Sequence, residues 1–169
     1  PPTLLALLKH PLLRLGSTHG AWKGALETLE LALLRGTRPQ AGSAGLAADF
    51  ARFRDELRKL EAGETSSLHR AEQRARLKAH DLDRADALVT ALRTTLAPLE
   101  DLSRTRPHDF AELAARHRET LVKLCVDERG VTTAFEGQDG MALAAAFDPR
   151  AGRASKIEKA RTRLPLLVE

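Results

Sequence analysis

Apolar residues recur along this chain at three- and four-residue steps and almost never alternate, so the pattern is that of helices and not of half-buried strands. Leu4, Leu5, Leu8, Leu12 and Leu15 form the first stripe, which has to dock on other apolar surface. Pro11 cuts it, because proline has no N–H and crowds the preceding turn, and a break is expected after His10. Ala21 to Leu34 reads as the next helix, with Trp22, Ala25, Leu29 and Leu33 on one face and Gly36 as its stop. The place of Trp22 in that register assigns it to packing. Thr37 to Gly45 has the Gly, Pro and Ser content of a surface connection. Leu46, Phe50, Phe53, Leu57 and Leu60 then give a clear amphipathic helix that should close at Ala62-Gly63.

Further on, Asp81 or Asp83 can cap a helix whose stripe is Leu82, Ala85, Val89, Leu92 and Leu96, reaching Pro98, with Leu99 and Leu102 continuing after a kink. Asp109 is placed to cap another, carrying Phe110, Leu113, His117, Leu121 and Leu124, which puts His117 on the buried side. The apolar register lapses between Asp127 and Gly140, where Val131 to Thr133 could form a scrap of strand. Met141 to Phe147 reads as a short apolar helix ended by Asp148-Pro149, and Ile157, Ala160 and Leu164 suggest a last one before Pro165. The expected fold is all-α: a single subdomain over residues 1–169, an irregular orthogonal array of about six to eight short and medium helices with little or no sheet.

Charge adds one local feature. Lys and Arg number 27 against 23 Asp and Glu, a net charge of +4 that permits an anionic partner without requiring one. The excess gathers in Ser66 to His80, where His69, Arg70, Arg74, Arg76, Lys78 and His80 are interrupted only by Leu68 and Leu77 as large apolar anchors. If that stretch is helical, Arg70, Arg74 and Lys78 repeat every fourth residue on one side, a spacing that could track phosphates; the alternative is a solvated helix face tempered by Glu72. Arg70, Arg74, Arg76 and Lys78 on that stretch, with Lys9, His10 and Arg14 on the first segment, are the candidate phosphate contacts. Tyr is absent and aromatics make up 4%, so base-stacking platforms are poorly supplied.

Catalytic signatures are sparse. There is no glycine-rich loop ending in Gly-Lys-Ser/Thr to hold nucleotide phosphates, and no Gly-x-Ser-x-Gly elbow. The single Cys125 excludes an internal disulfide or a thiolate-rich zinc or iron–sulfur site built from this chain alone. Acids are plentiful but gather nowhere except on helix surfaces, so no catalytic residue and no metal ligand is assigned. The opening Leu-rich run is far shorter than the ~18 residues that cross a bilayer and has no basic region before it, so a cytoplasmic protein without a membrane partner is expected. A start in mid-pattern at Pro1, without Met, suggests an internal piece of a larger protein.

Leu4-Leu5-Ala6-Leu7-Leu8-Lys9-His10-Pro11-Leu12, followed by Leu15-Gly16, resembles a segment of AddB proteins, the helicase-like nuclease subunits of bacterial AddAB double-strand-break repair complexes. The stretch from Ala25-Leu26-Glu27 to Leu34-Arg35-Gly36-Thr37-Arg38-Pro39 looks like the same family's continuation, and Phe135 to Leu143 is similar to a further segment in which Trp is expected where this chain has Phe135. The resemblance covers about the first quarter of the chain and is patchy beyond it, and it includes no catalytic motif. It implies an accessory, non-catalytic helical subdomain that positions duplex or forked DNA or supports the strand channel, beside an AddA-like helicase-nuclease partner and in contact with the nucleoid. The parent family uses ATP and magnesium in the complex, with an iron–sulfur cluster and a divalent metal in its nuclease domain; none of these is expected in this fragment. A protein-interaction or spacer domain without DNA contact is the rival. A remote one is an HD-type metal phosphohydrolase, from the order His80, His108-Asp109, Asp148.

Overall fold

The computed structural model describes residues 2–35, 39–102 and 107–147. Six α-helices run in the order α1 (Pro2–Leu8), α2 (Lys23–Leu29), α3 (Gly42–Ala62), α4 (Ala79–Glu100), α5 (Phe110–Cys125) and α6 (Gly137–Ala146). Among the described residues there is no sheet; a single isolated bridge pairs Val126 with Thr132, where a scrap of strand was expected. The all-α expectation therefore holds. The expected final helix beyond Ile157, the Asp148-Pro149 stop and the Gly36 stop lie outside the described residues.

Helix α4 is the central element, packed by α2, α3 and α5. Its apolar stripe recurs at helical spacing, and Leu82, Ala85, Leu88, Val89 and Leu92 are all buried. Leu88, adjacent to the expected stripe, is fully enclosed, together with Leu92, Leu29, Phe50 and Leu57. The helix continues through Pro98 to Glu100. In α3 the stripe Leu46, Phe50, Phe53 and Leu57 is buried as predicted, with Leu60 half-buried. Gly63 closes it in the left-handed conformation (φ 75°, ψ 16°), which lacks a Cβ penalty only for glycine. Helix α2 passes at Glu30 into a π-helical turn, Glu30–Leu34, so the expected single helix has two geometries; Ala25, Leu26, Leu29 and Ala32 are buried.

Helix α3 starts at Gly42, inside the stretch that composition marks as a surface connection. The cause is a distant one. The Glu100 carboxylate, at the end of α4, accepts the Ser43 backbone N–H at 2.8 Å and also the Ser43 hydroxyl, so it caps the first turn of α3 across the fold. Gly42 itself turns at φ 80°, where a side chain would be strained.

Helix α5 departs from its predicted orientation. Asp109 does cap it, accepting the Ala111 N–H, but Phe110 is 83% exposed and His117 is exposed, while Thr120, Leu124 and Cys125 are buried. Arg116 holds the half-buried position expected for His117: its guanidinium reaches the Pro98 carbonyl of α4 at 3.0 Å and Glu112 at 2.8 Å, and a long aliphatic stem can cover apolar surface where imidazole cannot. Helix α6 begins four residues before the predicted Met141 and touches the fold closely at Gly140, where an added Cβ would lie 2.5 Å from the Phe135 carbonyl carbon. The first helix closes at Leu8, two residues before the break expected after His10.

Two stability outcomes follow. Leu88→Ala is expected to cost about 3 kcal/mol in urea unfolding, because its fully buried side chain sits on the helix against which three others pack. Glu100→Ala is expected to cost about 1–2 kcal/mol, the scale of a lost helix cap, even though Glu100 lies on the surface.

Candidate nucleic-acid interface

The basic stretch is the connection between α3 and α4, and it is not a helix. After Gly63 the chain doubles back onto α3: Ser66 Oγ donates to the Glu56 carbonyl at 2.8 Å, and the Ser67 N–H donates to the Glu56 carboxylate at 2.5 Å. Leu68 is then buried as an anchor. Next, Glu72 accepts the His69 N–H at 2.8 Å and Arg74 Nε at 2.7 Å, and a short 3-10 turn, Gln73–Arg76, leads into extended Leu77 and the start of α4. The expectation of Arg70, Arg74 and Lys78 on one helix side is corrected. Two carboxylates, Glu56 and Glu72, satisfy backbone N–H groups that a helix would have paired internally, and they hold the chain as a strap.

The cations on this strap divide into two kinds. Arg74 is half-buried, paired with Glu72, and its guanidinium lies 5.9 Å from the centre of the Phe53 ring, so it fastens the strap to α3. Arg70, Arg76 and Lys78 are exposed, and none has a carboxylate partner among the described residues. The neighbouring cations of α3 are paired: Arg52 with Asp49, Arg54 with Asp83 of α4, Arg58 with Asp55, and Lys59 with both Asp55 and Glu56.

Of the candidates on the first segment, Lys9 pairs with Glu30 at 2.9 Å, which together with Arg35 holds that carboxyl below its usual range. Arg14 folds over its own turn, donating to the carbonyls of Pro11 at 2.5 Å and Leu13 at 3.1 Å. His10 is exposed, and its Nδ1 accepts the Leu12 N–H at 3.2 Å. Trp22, absent from the predicted site, is half-buried, with its indole N–H given to the Arg14 carbonyl at 2.9 Å.

The residues in the order of an HD-type centre each have a local role. His80 contacts Asp81 at 3.0 Å, His108 faces Glu112 at 3.5 Å, and Asp109 is the helix cap; Asp148 lies outside the described residues. Among the described residues no three His, Cys, Asp or Glu side chains gather as a metal site would need. Cys125 is buried, and that burial pushes its thiol pKa up. Among the described residues no helix is long and apolar enough to cross a membrane.

The chain matches no protein-family model, and neither curated proteins nor solved structures include a match to it.

Glu56 sets how the strap responds to acid. Lys59 first, and the Ser67 N–H after it, bring its carboxyl from 4.5 down to about 2. A carboxylate depressed on folding stabilises the fold fully above its unfolded pKa and loses that contribution as pH falls from about 4.5 toward 2. The urea midpoint of the wild type should therefore fall more steeply between pH 5 and about 2.5 than that of Glu56→Gln, which should be the less stable protein at pH 7.

Proposed function

We propose that this chain is an accessory, non-catalytic helical subdomain of an AddB-like helicase-nuclease subunit, and that it positions DNA by sequence-independent phosphate contact. The observation that carries the reading is the strap of residues 66–78, where Arg70, Arg76 and Lys78 stand exposed and without a carboxylate partner among the described residues, beside a helix whose cations are paired. An ion pair already satisfied must be broken before it can serve a phosphate; an unpaired guanidinium or ammonium can release counterions from DNA directly. The likeness of Leu4–Leu12 and Leu15-Gly16 to AddB proteins supplies the larger context. On that likeness the partners are a duplex or forked DNA end and an AddA-like subunit, and ATP, magnesium and the iron–sulfur cluster are bound by other parts of that complex.

A protein-interaction role draws on a different observation. Helix α6 points its bulky apolar residues outward, with Met141 63% and Leu143 38% exposed, and Phe110 at the start of α5 is exposed as well. Solvated apolar side chains of that size suit a neighbouring protein surface.

A salt series of gel shifts with duplex DNA separates the two. Replacement of Arg70, Arg76 or Lys78 by Ala should lower the slope of log affinity against log salt by about 0.9 each, while Arg52→Ala and Arg58→Ala leave it unchanged. Absence of any retained duplex at low salt, or equal slopes for all five variants, would overturn the DNA-positioning reading and leave the interaction role.

A further inference from the structure

Between the His10–Pro11 turn, the turn at His19-Gly20 and the start of α2 lies a groove of about 210 Å³. Its floor is apolar: Leu8, Leu13 and Leu26 are buried, and Trp22 forms one side. The indole N–H is already bonded to the Arg14 carbonyl, so its polar atom needs no partner from a ligand.

The rim consists of donors. Lys9, His10, His19 and Lys23 line it and all are exposed, and no carboxylate lines it. Lys9 is shared with Glu30, whereas Lys23 has no carboxylate partner among the described residues. His10 Nδ1 accepts the Leu12 N–H, and His19 Nδ1 lies 3.1 Å from Arg14 Nη1, which can only donate. With Nδ1 accepting from Leu12, the neutral His10 ring carries its proton on Nε2.

A groove lined by leucines, an indole, Lys9, Lys23 and two imidazoles, and by no carboxylate, is complementary to a ring that carries an anion. We infer that the groove takes one unstacked nucleotide of single-stranded DNA, its base against Trp22 and the leucines and its phosphate on Lys23 and the two imidazoles. A groove of about 210 Å³ is on the scale of a single base. This inference rests on the DNA-positioning reading and deepens it: the strap holds the backbone, and the groove accepts a base from a strand that has come apart.

Trp22 is the only tryptophan of the chain, so its fluorescence reports on the groove directly. Titration of the full chain with tetrathymidylate should quench that emission to saturation, with a salt slope of about 0.7–1.4, corresponding to one or two single-strand phosphates. Lys23→Glu, and separately His19→Ala, should weaken the quenching about tenfold or more with unchanged far-ultraviolet circular dichroism. No saturable quenching, quenching unaltered in both variants, or quenching by an acidic peptide of equal charge and not by tetrathymidylate would each overturn the groove as a nucleotide site. Gel shifts with duplex on the same preparations keep the two claims apart: duplex retained through the strap with Trp22 silent overturns the groove alone, whereas no retention of either DNA overturns both.

Discussion

Helix α4 gives up its apolar face to three neighbours at once, and the remaining elements take their positions from that burial. Leu82, Ala85, Leu88, Val89 and Leu92 cannot all be covered by one helix, so α2, α3 and α5 must converge on it. The side chains enclosed there are large and few polar groups accompany them, so the hydrophobic term dominates the interior. Polar contacts then fix orientation at the margins. Arg54 to Asp83 pins α3 to the early part of α4, and Arg116 to the Pro98 carbonyl pins α5 to its late part.

Carboxylates in this fold act mainly as organisers of backbone. Glu100 ends one helix and begins another, Glu56 ties down the residues that leave α3, and Glu72 turns the chain before α4. A carboxylate that accepts main-chain N–H groups is a stronger and more directional constraint than an exposed ion pair. The same economy explains where positive charge is left over. The acids along α3 neutralise their own helix neighbours, and the strap has only Glu72, which Arg74 already occupies. The unpaired charge on Arg70, Arg76 and Lys78 is thus a result of how the connection folds and not only of how many basic residues it contains.

Legibility from sequence followed the range of the interactions. The stripes of α3 and α4, the Gly63 stop, the break at Pro11 and the Asp109 cap depend on residues within a turn or two of one another, and the pattern along the chain reveals them. The early start of α3 does not, because its cap comes from Glu100, 57 residues away. Helical spacing suggested one cationic face for Arg70, Arg74 and Lys78, but propensity yielded to tertiary hydrogen bonds from Glu56 and Glu72. The helical spacing of α5 places Phe110 and His117 inside with Leu124, and only Leu124 is buried; the guanidinium of Arg116 on the Pro98 carbonyl is a contact that no apolar pattern encodes. The apolar register shows that Trp22 packs, but not that it borders a groove, since the turns that face it have no apolar period.

Residues near the two ends of the described chain are sewn together. The Leu124 carbonyl accepts N–H groups from both Arg14 and Leu15, the Val126 carbonyl accepts one from Gly16, and the Thr133 hydroxyl donates to the Leu12 and Cys125 carbonyls. These bonds close a loop of more than a hundred residues, and the entropy of closing it is lost before they repay anything. The leading segment is therefore expected to seat only after the helices around α4 have assembled, as a latch fastened last. Its seating would join both margins of the domain in one cooperative unit, in which loosening either end loosens the other.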